Sequence, residues 1–281
     1  VPEGAGGGSG PERIAAAFDA AKEQGRAALM PYMMGGFPDP DSSARIAAAY
    51  ADGGADLIEL GVPFSDPLAD GPVIHAAATE ALNRGVRLEA VLEVCRSVSD
   101  RVPVVLMAYS NMILGAGGPA EFARRAVAAG ASGVIVPDLP LGEDEASRKV
   151  LADAGLAVIP LIAPTTLDER RDEICAVAGG FVYVVSSVGT TGERGELPAN
   201  LRELVEDVKS RSRVPVAVGF GIGSPAQAAE VGEVADGVII GSKLVRLVAD
   251  AEDGDRAVAE VTAFLEQSRA ALGAESSTGI R

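Results

Sequence analysis

Two patterns of apolar and polar positions take turns along this chain. Short β-rich runs, most of them continuously apolar, fall at Ala28–Met34, Asp56–Gly61, Pro103–Tyr109, Gly133–Pro137, Ala157–Ala163, Phe181–Ser186, Pro215–Gly219 and Gly237–Gly241. Stretches such as VPVVLMAY, GVIVPD and GVIIGS suit parallel strands covered on both faces. Between them lie helical patterns, among them Ser42–Asp52, Leu88–Asp100, Ala120–Ala129 and Asp144–Ala154. Several helices end on a small-residue signal just before the next run, at Gly53–Gly54, Gly130, Gly155 and Gly179–Gly180. Glycine is the usual left-handed stop of a helix. The segments ADGGADLIELG, AAGASGVIVPD and EVADGVIIGS repeat one plan of helix end, short turn and apolar strand. Eight strands with intervening helices predict an α/β fold, a closed (β/α)8 TIM barrel with an additional N-terminal helix. A doubly wound open sheet is the alternative. The barrel is expected over residues 12–270, between a Gly-rich lead-in at 1–11 and a polar tail at 271–281.

Two segments break the rhythm. One is Val62–Pro72 after the second run; the other is Val188–Pro198 after the sixth, with three glycines and mixed charge. Barrel active sites are built from the loops at the C-terminal ends of the strands, and long Gly-bearing loops there are candidate lids.

Composition narrows the chemistry. The chain has 281 residues and a formal net charge of −16. Such an acidic protein repels phosphodiester backbones, which argues against nucleic acid as a partner. A small anion remains possible, because backbone N–H groups can bind it locally. One histidine and two scattered cysteines, Cys95 and Cys175, exclude nearly every His/Cys metal site, so no metal is expected. The cysteines read as two reduced, packed thiols of a cytoplasmic protein. No apolar run is long enough to span a bilayer, and the N-terminus does not have the form of a secretory signal.

Glu59 lies inside an otherwise apolar strand, IELG. A charged residue there must point into a polar site or incur a large desolvation cost. A buried carboxylate tends to hold its proton, which suits general acid/base work. Asp66 and Asp70 follow on a loop stiffened by Pro63, Pro67 and Pro72. Either could serve the site or simply cap a turn or the next helix. Three glycine-bearing turns close the last strands: Gly189–Gly192, Gly219–Gly223 and Gly241–Ser242. Glycine lets backbone N–H groups approach an anion, and the loops after the seventh and eighth strands form the common phosphate site of barrels. Ser242 would add a hydroxyl at a helix start. Ordinary tight turns are the alternative. The four lysines all fall outside the strands, which disfavours a Schiff base. His75 reads as a packed or rim residue. Tyr109 and Tyr183 either line a pocket for an aromatic substrate or fill the core.

At these residues the sequence resembles the α subunit of tryptophan synthase. The run ELGVPFSDPLADGP is joined by PVVLMAYSN, GVIVPDLP, YVVSSVGTTG, VGFGI and IIGSKLV, in that order, and the resemblance spans roughly residues 12–268. It implies a retro-aldol cleavage of indole-3-glycerol phosphate to indole and glyceraldehyde 3-phosphate. It implies that Glu59 is the general acid/base and that Asp70 holds the indole N–H and stabilises the charged intermediate. Tyr183 matches the tyrosine beside the acid/base, and Thr191 the lid threonine that meets Asp70 on closure. Phosphate would sit at Gly192, Gly221 and Gly241 with Ser242, and Tyr32, Ile74, Leu106 and Ile240 would wall the indole pocket. The implied partner is a β subunit carrying pyridoxal phosphate (PLP), in an α2β2 assembly; this chain would need no cofactor. Pro63, Asp66, Pro67, Asn111 and Pro140 would face that partner. One departure stands in the lid, where many relatives carry Arg at the position of Ser187; Arg194 is nearby in sequence. Another phosphate-binding barrel, such as an isomerase or an indole-glycerol-phosphate synthase, is a second alternative; such barrels usually rely on an Asp pair at strands one and five, or on a catalytic Lys with Glu. Here ALMPYMMGG and AVIPLIAP carry none. A non-catalytic, partner-binding barrel is the remaining alternative.

Overall fold

The apolar runs form short parallel strands in a computed structural model that describes residues 8–185, 200–219 and 221–274. They are β1 (Ala28–Met34), β2 (Ile58–Gly61), β3 (Val104–Met107), β4 (Ala131–Ile135), β5 (Ala157–Ile159), β6 (Leu161–Ile162), β7 (Val182–Val185), β8 (Val216–Gly219) and β9 (Gly237–Ile240). Among the described residues the strands run in the order β5-β4-β3-β2-β1-β9-β8-β7-β6. β5 and β6 are consecutive in the chain, so Pro160 between them joins the two ends of the sheet into a barrel. The fifth predicted run thus becomes two segments. Proline has no N–H to give a ladder, and here the strand changes partner. Ile159 pairs with Ile135 on one side, Leu161 with Tyr183 on the other. The Pro160 carbonyl still accepts from Tyr183 N–H at 3.0 Å.

Alternate residues of each strand face opposite ways. Met30, Leu57, Val105, Ile135, Ile159, Ala217 and Ile239 form the inner core of the barrel. Leu29, Ile58, Leu106, Val134, Val218, Val238 and Ile240 belong to the outer core against the helices. The helix Gly10–Glu23 supplies Ile14, Phe18 and Ala21 to the inner core. Its Phe18 ring lies 5.8 Å from Phe181. Its Arg13 guanidinium donates to the carbonyls of Ser99 and Gly130. These contacts close the N-terminal end of the barrel and leave the C-terminal mouth for the long loops.

A buried ion pair ties that closed end. Arg26 donates to both Asp56 oxygens, at 2.5 and 2.7 Å, with side chains only 3% and 11% exposed. Asp56 also accepts from Leu29 N–H at 2.7 Å and from Arg269 at 3.3 Å. One carboxylate therefore fastens β1, the approach to β2 and the last helix. That helix, Gly254–Leu272, passes the boundary expected at residue 270, and the first helix starts two residues before the expected 12. Leu272 explains the extension, since its side chain is buried.

Candidate active site

β2 presents Glu59 from the barrel wall. Its register partners, Tyr32 on β1 and Val105 on β3, share its inward parity. The side chain is 2% exposed, and among the described residues Oε2 has no hydrogen-bond partner. Burial pushes its pKa up to about 8, and the nearby Asp70 charge adds to the shift. A carboxyl in this state is protonated at neutral pH and can donate.

The loop after β2 carries the second carboxylate. Val62 N–H extends the ladder to the Met107 carbonyl at 2.8 Å before the chain leaves the sheet. Asp70 is half-buried and accepts from the Tyr109 hydroxyl at 3.1 Å. Burial raises its pKa, while the Tyr109 hydrogen bond and the charge of His75 pull the other way. Asp66 is exposed and accepts from Ser65 Oγ at 2.9 Å, so the structure separates it from the cavity.

Two tyrosines flank the acid. Tyr32 and Tyr183 are buried, and both hold their protons more tightly than usual, chiefly through burial and then through the Asp70 and Glu59 charges. Each leans over a glycine of the next strand. A Cβ on Gly61 would lie 2.2 Å from the Tyr32 hydroxyl, and one on Gly219 would lie 2.3 Å from the Tyr183 hydroxyl. Hydrogen at those two positions is what leaves room for the rings.

The anion-binding features meet the same cavity. Gly221 has a φ of +54°, and Gly241 caps the helix Ser242–Asp250. Ser242 Oγ is buried with no hydrogen-bond partner among the described residues. A helix N-terminus with free N–H groups and a buried, waiting hydroxyl fits a phosphate.

Glu59, Asp70, Tyr32, Ile74, Tyr183, Gly221, Gly241 and Ser242 all line one cavity. Leu106 and Ile240, expected in its wall, do not. Both are fully buried in the outer core, one residue out of phase. Met107 and Ile239 line the cavity in their place. A strand's parity is absolute, so a slip of one position exchanges its two faces. Gly219, at the start of the Gly219–Gly223 turn, lines it too, as do Pro137, Leu161 and Val185, which carry no chemical signature in the sequence. Thr191, Gly192, Ser187 and Arg194 lie outside the described residues. A larger hollow of about 840 Å³ lies at the closed end. Its Arg26 and Lys209 are already paired with Asp56 and Asp236, and it holds none of the buried groups that lack a partner. Among the described residues no group of three His, Cys, Asp or Glu side chains could hold a metal ion.

The family model for the tryptophan synthase alpha chain matches residues 18–272. The chain belongs to the tryptophan synthase alpha chain family. The alpha chain of Carboxydothermus hydrogenoformans is 47% identical over 238 residues, covering 84% of this chain and 89% of that one. A solved structure of Mycobacterium tuberculosis tryptophan synthase superposes with a TM-score of 0.86 at 37% identity, covering 93% of this chain and 98% of that one. The alpha chain from Legionella pneumophila gives 0.85 at 35% identity, with 95% and 99% covered. As an alpha chain, the protein is a carbon–carbon lyase of tryptophan biosynthesis. It cleaves indole-3-glycerol phosphate to indole and glyceraldehyde 3-phosphate and passes indole to a β subunit in an α2β2 assembly. Pyridoxal phosphate belongs to that β subunit. Of the residues expected at the partner face, Asp66, Asn111 and Pro140 are exposed, Pro67 is half-buried and Pro63 is buried. Pro63 and Asn111 share one cleft.

Proposed function

We propose that Glu59 moves the proton in this cleavage and that Asp70 holds the indole nitrogen. Glu59 begins protonated and delivers its proton to indole C3. The ring nitrogen then carries the positive charge, and its N–H faces the Asp70 carboxylate. An anion already fixed in a poorly hydrated site stabilises that charge as it develops. The Glu59 carboxylate left behind takes the proton of the C3′ hydroxyl. The C3–C3′ bond breaks, its electrons return to the ring, and the hydroxyl carbon leaves as an aldehyde. Glu59 ends protonated, ready for another turn.

The remaining residues orient the substrate in this scheme. Gly221 and Gly241 N–H groups and Ser242 Oγ take the phosphate, together with Gly192. Tyr32, Ile74, Met107 and Ile239 wall the indole, and Tyr183 packs beside the acid. Thr191 would close over Asp70, in a loop where Ser187 supplies no positive charge. Asp66, Pro67, Asn111 and Pro140 form the face toward the β subunit, with the buried Pro63 lining a cleft beside Asn111, and the exposed Leu68 and Leu114 add apolar area beside them. Two buried free thiols, Cys95 and Cys175, fit a reducing compartment, so we place the reaction in the cytoplasm. Among the described residues, no helix is long and apolar enough to cross a membrane.

The observation that carries these roles is the buried Glu59 carboxyl, whose Oε2 has no hydrogen-bond partner among the described residues, proton-holding up to about pH 8 and lining one cavity with Asp70. Turnover of Glu59→Gln tests it directly.

A further inference from the structure

Tyr109 follows β3 and caps the short helix Ser110–Gly115. Its side chain reaches the loop that bears Asp70. The hydroxyl donates to Asp70 Oδ1 at 3.1 Å and accepts from Ala69 N–H at 3.0 Å. One phenol therefore holds both the carboxylate and the adjoining peptide. Its ring stacks on Phe64 of the same loop, with centroids 5.1 Å apart and planes at 27°. The residue is 3% exposed. A single side chain from beyond the end of β3 thus pins the loop at Phe64, Ala69 and Asp70.

The next residue is fixed in turn. Ser110 donates to Asp138 twice, from its N–H at 2.8 Å and from Oγ at 2.7 Å. Asp138 lies two residues before Pro140, and Asn111 follows Ser110 directly. The seat of Tyr109 therefore lies between the cavity and the face assigned to the β subunit.

We propose that Tyr109 is a positioning residue of the cleavage reaction, holding the Asp70 carboxylate at the cavity and tying its placement to the Ser110–Asp138 contact. This rests on Asp70 acting as the clamp on the indole N–H. Tyr109 itself touches no reacting atom. It fixes where the anion stands and, by donating to it, favours the ionised form. Displacing the clamp costs the charged intermediate more than the neutral substrate, so the deficit falls on kcat.

Tyr109→Phe keeps the ring and its stacking on Phe64 and removes only the hydroxyl. Cleavage kinetics are measured for Tyr109→Phe, Asp70→Asn and the double variant, each in the α2β2 complex. Tyr109→Phe is expected to lower kcat about tenfold or more with KM little changed. The acid limb of its pH profile should move to higher pH, because the lost hydrogen bond had held the Asp70 pKa down. In the double variant the loss should equal that of Asp70→Asn alone, the signature of one residue acting through another. An unchanged kcat and limb in Tyr109→Phe, or losses that multiply in the double variant, would overturn the positioning role while leaving the clamp in place. Wild-type turnover in Asp70→Asn would overturn the clamp, and the positioning role with it.

Discussion

Glu59 and Tyr32 are register partners on adjacent strands, and both face the barrel mouth. Val105, the partner on the other side, is apolar. Glu59 is thus flanked in the ladder by groups that offer its carboxylate no charge, and burial dominates its proton affinity. The rate should therefore fall as pH rises through about 8, where Glu59 loses the proton it must donate. It should also fall at acid pH as Asp70 is neutralised, at a pKa above its usual value. A pH profile of kcat/KM checks both limbs. The Asp70→Asn variant should lose the acid limb and keep the alkaline one, moved to lower pH because the Asp70 charge no longer raises the Glu59 pKa.

The same shift predicts a stability effect. The native state holds the Glu59 proton more tightly than the unfolded chain does, so stability falls as pH rises from about 4.5 to about 8. Glu59→Gln removes this dependence. Its melting temperature should exceed that of the wild type by an amount that grows across that pH window and then levels off. Thermal melts at acid, neutral and alkaline pH measure it, and a constant difference would contradict the assignment.

Ser242 provides a separable test of the phosphate site. Ser242→Ala removes a buried hydroxyl that has no partner among the described residues, so folding should be unharmed. Substrate binding should weaken by about 1–2 kcal/mol, or roughly five- to thirtyfold in KM. Inhibition by inorganic phosphate should weaken with it, while kcat changes far less.

The glycines beneath the tyrosines make a reciprocal prediction. Gly219→Ala would place a methyl 2.3 Å from the Tyr183 hydroxyl, and the ring must move. Activity should drop sharply, and adding Tyr183→Phe should restore little of it, because ring carbons would still lie 2.6 and 2.8 Å from the methyl. The double-mutant cycle on kcat/KM reads the coupling directly.

At the closed end, Asp56→Ala leaves Arg26 buried without its partner. Breaking such a pair costs about 3–5 kcal/mol. Chemical denaturation should show that loss, while KM for the residual folded enzyme stays near the wild-type value.

Much of this was legible in the sequence, and the misses have a common cause. Glu59 stood out because a charge inside an apolar strand has few bland explanations. Leu106 and Met107 could not be told apart in the same way. In VPVVLMAY both faces of the strand are buried, so neither carries a polar signature. Only the pairing of Glu59 with Val105 fixes the parity and sends Met107 inward. Asp66 and Asp70 share one proline-rich loop, and their separation depends on Tyr109, about forty residues further along the chain. The split at Pro160 was hidden because either half of the run reads as strand; which neighbour each half joins is a property of the closed barrel.

The most direct test of the central claim is single-turnover release of indole from indole-3-glycerol phosphate by Glu59→Gln, alongside its affinity for a non-cleavable indole phosphate analogue. The carboxyl-to-amide change keeps shape and burial and removes only the transferable proton. Abolished cleavage with analogue affinity close to that of the wild type is the predicted result. Indole release at or near the wild-type rate would contradict Glu59 as the proton-transfer residue.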